Sequence, residues 1–419
     1  MRTLPPLPAW LTLEHQVAQI LTQQEIHGWY FDERAARELE STLRREYEDT
    51  CKVLQNRHPF VEGAKFTPKR TNRGKGYVEG STFTKLKDLN PTSRDHISWI
   101  IQTHYGWIPS LMTSTGKPVI NETVLKDIGT DIALQFLKLL DLTKQLGMIS
   151  EGVNAWQKLC TKSRVHHHCS VATSTFRCAH RKPNLAQVPS DERFRKLFKA
   201  SPNMVMCGAD LSGIELRILS HYLARFDGGR YAEILINGDI HATNAERIGI
   251  TRSQVKTVTY AFLYGAGDAK IGYSYDKQFS EDKAKRKGRE IRKAYVDAIP
   301  GLKELLEGVH KASEKGYVLG IDKRRILVDS KHKSLNYLLQ GSAAILAKRW
   351  MVLANENLPK TARQLAFVHD ELQFEAESQE VDDLKFLLEL TAVQAGEYYK
   401  LRCPIAAEAK SGSTWADVH

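Results

Sequence analysis

Two short apolar runs that end in carboxylates constrain this chain more than anything else in it. Met204-Val-Met-Cys-Gly-Ala leads into Asp210, and Leu365-Ala-Phe-Val-His leads into Asp370-Glu371, after which Leu372 to Phe374 continues the run. Segments of this length and composition read as buried strands. An acid at the end of a buried strand projects from a sheet with fixed geometry, so two of them can meet from far apart in the sequence. Paired aspartates of that kind supply the hard oxygen ligands that hold two Mg²⁺ ions about 4 Å apart for phosphoryl transfer. They are also ordinary hydrogen-bonded turn formers, and the two strands alone leave both readings open.

The stretch Arg252 to Gly265 adds a second constraint. Arg252, Lys256, Tyr260 and Tyr264 recur every four residues and form one slowly winding stripe on a helix, with Val255, Val258 and Phe262 roughly opposite. Such a helix suits a phosphorylated aromatic ligand, or is an amphipathic surface helix. Gly265-Ala-Gly reads as its stop rather than as a phosphate loop. The net charge of +11 favours a polyanionic partner. Since no run of about 18 apolar residues occurs, nucleic acid is favoured over a bilayer. Met1-Arg-Thr-Leu-Pro-Pro-Leu-Pro has no apolar run before its prolines and is not a secretory signal, so a cytoplasmic location and reduced thiols are expected for the six scattered cysteines.

At 419 residues the chain can build two or three cored domains. From Thr12 to about Gln55 it reads as a helical hairpin: Val17, Ile20 and Leu21 in one helix, a break at Gly28, then Ala35, Leu39, Leu43 and Tyr47 along a second helix that Asp32 can cap. Between Pro59 and Pro91 the periodicity vanishes, and Lys65, Lys69, Arg70, Arg73, Lys75, Lys85 and Lys87 outweigh Glu62, Glu79 and Asp88. That segment reads as a basic, mobile insertion that meets nucleic-acid backbone or a partner. Helical pattern resumes at Ser93, Asp131 to Leu146 reads as a buried helix, and the helical lobe ends near residue 160. The run Lys283 to Lys293 reads as a solvated helical face. Cys160, His166, His167, His168, Cys169, Cys178 and His180 lack a paired C-x2-C arrangement and are not read as a zinc site.

Taken together, Asp210-Leu-Ser-Gly-Ile-Glu-Leu-Arg, Arg252-x3-Lys-x3-Tyr-x3-Tyr-Gly and His369-Asp-Glu resemble the three polymerase motifs of family A (Pol I-like) DNA polymerases, in their order, and most resemble the phage replicative type. Thr175-Phe-Arg-Cys-Ala-His, Pro183-Asn-Leu-Ala-Gln-Val-Pro, Asn237-Gly-Asp-Ile-His and Leu338-Leu-Gln extend the resemblance over residues 10–419. It implies an α+β right-hand polymerase fold: a mostly antiparallel palm sheet with helical fingers and a helical thumb. The implied spans are thumb 1–159 with the basic insertion at 59–91, palm 160–222 and 335–419, and fingers 223–334. The implied activity is template-directed addition of deoxynucleoside triphosphates to a primer 3′-hydroxyl, by two-metal-ion nucleotidyl transfer, in phage-type DNA replication.

The same resemblance implies roles for residues. Asp210 and Asp370, with the Leu211 carbonyl, would bind the two Mg²⁺ ions, and Glu371 would be an auxiliary acid. Arg252, Lys256 and His241 would hold the triphosphate, Lys256 also acting in catalysis. Tyr260 would lie against the sugar and base, and Glu215 would form with it a steric gate against a ribose 2′-hydroxyl. Tyr264 would stack at the template position, Arg177 and Gln340 would reach minor-groove acceptors common to all base pairs, and Asn336, His332 and His369 would lie near the primer-template junction. Tyr260 stands where many relatives have phenylalanine, and its hydroxyl should replace the hydrogen bond lost with a missing 3′-hydroxyl, admitting dideoxynucleotides. A single-subunit RNA polymerase would share the palm and the helix, but Glu215 and Glu371 argue against it. A silent DNA-binding subunit would not need both aspartates and the full triphosphate set.

Two departures from the resembled phage enzymes shape the expected partners beyond primer-template DNA and deoxynucleoside triphosphates. Those enzymes carry an N-terminal exonuclease, whereas no D-x-E on a strand precedes the thumb here. The chain is therefore expected not to proofread, and a separate exonuclease subunit and replisome proteins are the partners this suggests. Their long thumb insertion clasps a host thioredoxin, and the short basic segment in its place argues against thioredoxin. No membrane is expected, and the implied location is the bacterial host cytoplasm.

Overall fold

The structure, a computed structural model, describes residues 7–171, 173–276 and 279–419; residues 1–6, whose sequence argues against a signal peptide, lie outside them. The chain divides into two compact units, residues 34–158 and residues 1–33 together with 159–419. The expected helical hairpin is therefore not one packing unit. Helix α1 (Ala9–His27) buries Leu13, Val17, Ile20 and Leu21 in the core of the larger unit, while α2 (Glu33–Arg57) leads into the smaller one. Ala35, Leu39, Leu43 and Tyr47 lie in α2 as expected, and its buried stripe is Ala36, Leu43, Thr50 and Leu54. A helix this charged buries a narrow seam, and which seam depends on what it meets.

In the smaller unit the segment 59–91 is not a mobile insertion. Strand β1 (Phe60–Phe66) pairs antiparallel with β2 (Phe83–Asp88), Phe60 opposite Asp88 and Phe66 opposite Phe83, with a shift in register between Glu62 and Lys65. Val61 is buried with Leu54, Leu89 and Ile97, and farther along the ribbon the rings of Phe66, Tyr77 and Phe83 cluster with centroids 5.0 to 5.9 Å apart. These apolar anchors sit singly among lysines and glycines, so no periodicity shows in the sequence, yet cross-strand pairing makes them effective. Helix α3 (Arg94–Tyr105), capped by Ser93, and α4 (Asp131–Leu146), capped by Thr130, complete that core with Ile97, Ile101, Phe136 and Leu139.

The larger unit continues with β3 (Met204–Leu211), α5 (Ile214–Asp227), α6 (Ile240–Ile248), α7 (Arg252–Leu263), α8 (Glu281–Ala298) and α9 (Leu302–Ser313). A hairpin of β4 (Tyr317–Leu319) and β5 (Arg325–Leu327) follows, then α10 (Ser334–Glu356), β6 (Arg363–Val368), β7 (Glu371–Glu377), α11 (Val381–Tyr398) and β8 (Ala407–Gly412). Four strands form one antiparallel sheet in the order β6-β7-β3-β8, and α11 packs on it beside α10. The fold is α+β. No helix among the described residues is long and apolar enough to cross a membrane.

Strand β7 alternates Leu372, Phe374 and Ala376 with Glu371, Gln373 and Glu375, yet all six are buried. The apolar set joins the core, so the polar set must find partners inside the protein. Glu375 accepts the Ser201 N–H at 2.7 Å and pairs with His27 Nε2 at 2.7 Å. Burial works against the Glu375 carboxylate, but these bonds outweigh it and hold its pKa below the usual value. The resulting stability is present above the unfolded carboxylate pKa of about 4.3 and is lost as pH falls through the lowered one. Glu375→Gln is expected to cost about 3 kcal/mol at pH 7 and to flatten the loss of stability below pH ~4.5, read from urea unfolding at several pH values.

Candidate active site

The sheet decides where the two aspartates go. Only His369 and Asp370 separate β6 from β7, and His369 adopts the left-handed backbone at φ 62°. Pairing of β3 with β7 sets Asp210 opposite Glu371, and the Leu211 N–H donates to the Asp370 carbonyl at 3.1 Å. Asp210 and Asp370 therefore stand side by side at one end of the sheet. Burial raises both pKa values: Asp210 to about 6, with repulsion from Glu371 and Glu215 adding to it, and Asp370 to about 7, with repulsion from Asp210 and Glu215.

Two crowded acids of this kind are unfavourable as they stand, and a divalent cation relieves them. The donors fit a hard cation, since two carboxylates and the Leu211 carbonyl are all oxygens. Among the described residues no group of three or more His, Cys, Asp or Glu side chains is arranged to hold an ion. A set with only two side-chain donors leaves positions open for water and substrate phosphates. Glu371, though adjacent, is differently placed: 5% exposed, it accepts from Trp415 Nε1 at 2.6 Å and Gln373 Nε2 at 2.6 Å, and pairs with His419 Nδ1 at 3.1 Å. Burial opposes its charge, but the bonds from His419, Trp415 and Gln373 outweigh burial and lower its pKa. Glu371 is thus a fixed anion behind the pair.

Helix α5 follows β3 after a sharp turn at Gly213, whose φ of 57° a larger residue would resist, and carries Glu215 in its first turn. Glu215 accepts from Arg177 Nη2 at 2.9 Å and from the Tyr264 hydroxyl at 3.1 Å. Helix α7 is secured at both ends, by the Thr251–Gln254 capping box and by the Asn336 amide, which donates to the Leu263 carbonyl at 2.8 Å. Val255, Val258 and Phe262 are buried as their spacing requires, while Arg252, Lys256 and Tyr264 stay exposed and Tyr260 half-buried. The Tyr260 and Tyr264 rings stack with centroids 6.5 Å apart, and the His241 ring lies 6.3 Å from Tyr260. Burial, then the charges of Glu215 and Asp370, raise the Tyr260 pKa, so this phenol feels the acid at the sheet end.

The remaining expected residues are less concentrated. Burial and the Arg177 charge lower the His369 pKa, His332 Nδ1 meets Ser330 Oγ at 2.7 Å, and Gln340 is half-buried on α10. Among the described residues no carboxylate pairs with Lys256, whereas Arg252 Nε meets Asp239 at 2.6 Å. Asp239 was not singled out by sequence reasoning. It also caps α6 through the N–H groups of His241 and Ala242, and the signal for it is an Asp placed just before a helical pattern. In the His- and Cys-rich region, His168 meets Glu25 at 2.9 Å and buried Cys169 lies 3.9 Å from His180 Nε2.

A sheet that sets two aspartates at strand ends near a helix bearing Arg, Lys and two Tyr is the layout of a nucleic-acid polymerase. The family model described as DNA polymerase family A matches residues 72–417. The chain belongs to that family and is a DNA-directed DNA polymerase. The DNA-directed DNA polymerases of Enterobacteria phage T3 and Escherichia phage T7 are 29% and 30% identical to it, each comparison covering 97% of this chain and 70% of the relative. DNA polymerase I of Rhizobium leguminosarum is 26% identical over 73% of this chain and 33% of its own length. The POL domain of Pol1 from M. smegmatis, solved in complex with DNA primer-template and dNTP, shares the fold with a TM-score of 0.77 at 21% identity, covering 96% of this chain and 70% of that one.

Crowding of the acids has a thermodynamic signature. Asp210→Asn is expected to stabilise the metal-free protein at pH 8 by about 1–2 kcal/mol, because a carboxylate with a raised pKa costs stability once ionised. Millimolar Mn²⁺ is expected to raise the Tm of the wild type, and the same change should abolish that rise. Differential scanning fluorimetry in EDTA and in Mn²⁺ reads both.

Proposed function

We propose that this chain extends a primer 3′-hydroxyl on a DNA template with deoxynucleoside triphosphates, by two-metal-ion nucleotidyl transfer, as the polymerase of a phage-type replication system in the bacterial cytoplasm. The observation that carries this reading is the meeting of Asp210 and Asp370 at the sheet end, beside the helix whose Tyr264 reaches Glu215. The relatives support the ligands: the M. smegmatis domain was solved with both primer-template and dNTP. In this reading residues 160–222 and 335–419 are the palm and 223–334 the fingers; of the thumb expected at 1–159, residues 34–158 form the smaller unit, while 1–33 belong with the larger one.

Mg²⁺ held by Asp210, Asp370 and the Leu211 carbonyl would lower the pKa of the primer hydroxyl and neutralise the pyrophosphate. The chain's own groups do the rest. Arg252, Lys256 and His241 grip the triphosphate and meet charge that grows as the α-phosphate is attacked. Arg252 gives up Asp239 to do so, at small cost, since an exposed pair of this kind contributes about 1 kcal/mol or less. Tyr260 lies against the sugar. Glu215, held by Arg177 and Tyr264, cannot swing aside, and so denies space to a 2′-hydroxyl. Tyr264 stacks at the template position, Arg177 and Gln340 reach minor-groove acceptors, and Asn336, His332 and His369 lie near the primer-template junction. Glu371, fixed by Trp415, Gln373 and His419, acts by its charge behind Asp210.

Primer extension with the purified chain tests the reading. Asp210→Ala is expected to lower the turnover rate by at least ~10³-fold while primer-template affinity stays within about threefold. Extension that persists in Asp210→Ala would overturn the assignment. Tyr260→Phe is expected to lower the use of dideoxynucleotides relative to deoxynucleotides by about 10- to 100-fold, the worth of one lost hydrogen bond in a dry site, as read from competition on a single template.

The β1–β2 ribbon displays Lys65, Lys69, Arg70, Lys85 and Lys87 to solvent, and these touch duplex phosphates in the proposed complex. Changing all five to glutamine should shorten product runs at moderate salt and reduce the slope of log affinity against log salt by about 0.9 for each phosphate no longer neutralised. Unaltered processivity and slope would remove the ribbon from the DNA interface.

A further inference from the structure

Away from the aspartates, the larger unit contains a cavity of about 470 Å³ among α5, α9, α10 and the β4–β5 hairpin. Its walls are apolar, with Leu305 and Val309 from α9, Val318 from β4 and Leu338 from α10. Phe226 and Leu319 also line it, and they are 48% and 51% exposed. Exposed apolar side chains gathered around a cavity mark a surface that meets something other than water.

Charge at the same place narrows what that is. Arg225 and Lys323 line the cavity and are exposed, and among the described residues neither is paired with a carboxylate. The acids nearest them in sequence are already engaged, Asp322 by Arg324 Nε at 2.6 Å and Asp227 by the N–H groups of Gly229 and Tyr231. Two open cations beside an apolar hollow are complementary to an acidic ligand with a bulky apolar group.

Gly308 is an independent observation. It lies inside α9, where glycine costs roughly 1 kcal/mol relative to alanine. Its backbone is not left-handed, and a Cβ built there would meet no atom within 4 Å. Neither conformation nor internal packing requires glycine at 308, which is exposed, lines the cavity and has open space where a Cβ would stand.

We propose that this cavity is a docking site for an acidic segment of another protein, which seats an aromatic or bulky aliphatic side chain over Gly308 while flanking carboxylates reach Arg225 and Lys323. A nucleic-acid strand would satisfy the cations, but its bases bind by stacking on aromatic faces, and the walls here are mostly aliphatic. A second copy of this chain would have to bring an acidic, apolar segment of its own to the cavity, and the net charge of +11 opposes that approach. The inference is independent of the roles given to the aspartates and to α7.

The test uses the full chain and a fluorescein-labelled decapeptide of Asp, Glu and Gly with one central Phe, followed by fluorescence anisotropy at 50 mM salt. Saturable binding is expected, weakened at least tenfold when the peptide Phe becomes Ala, and at least tenfold by Gly308→Leu or Arg225→Glu in the protein. Primer extension should be unchanged in both variants, which shows that they are folded. No saturable binding up to 1 mM peptide, or equal binding to Gly308→Leu, would overturn the proposal. Loss of dT10 affinity in Gly308→Leu would assign the cavity to nucleic acid instead, and concentration-dependent self-association abolished by Gly308→Leu would assign it to a second copy; either result also overturns it.

Discussion

Everything at the acid end of the sheet depends on the pairing of β3 with β7. The register that sets Asp210 opposite Glu371 also sends Leu372, Phe374 and Ala376 to the core. A slip of one residue would exchange the faces, setting three apolar side chains among the buried polar partners and three acidic or amide groups in the apolar core without theirs. The hydrophobic cost of that exchange holds the aspartates in place more firmly than any interaction between them could, because they repel. Burial first, and repulsion between neighbouring carboxylates second, raise the pKa values of both.

Around that pair the other charges are held in fixed places. Glu371 is tied by Trp415, Gln373 and His419, and Glu215 by Arg177 and Tyr264. Fixing dipoles and charges before a substrate arrives lowers the reorganisation that would otherwise accompany each reaction. Helix α7 combines order with freedom: its capped start and the Asn336 contact define its ends, while most of its polar stripe faces open space. Tyr264 links the two regions, since it ends α7 and donates to Glu215.

Legibility in the sequence followed the range of the interaction responsible. The strands before Asp210 and Asp370, the buried edge of α7 and the helix at Asp131–Leu146 were readable because each depends on neighbours a few residues away. The β1–β2 ribbon was not readable, because single aromatics amid lysines become a pattern only once paired across the turn. Which seam α2 buries was not readable either, for a similar reason. Asp239 carried a local signal as a cap, but its pairing with Arg252 crosses from one helix to the next.

The sequence by itself determined the family, the order of the three motifs, and the chemistry available: hard oxygen donors, a cationic helix face and two phenols. These are properties of residue types and short spacings, which survive without a fold. Only the tertiary structure decided that α1 packs with the second half of the chain, that Glu371 is tied back by Trp415 and His419 rather than free beside Asp370, and that Gly308 lines a cavity flanked by Arg225 and Lys323. Each of those facts arises from contacts between residues tens to hundreds of positions apart. No local preference encodes them, because the free energy that selects them is released only when distant surfaces are buried together.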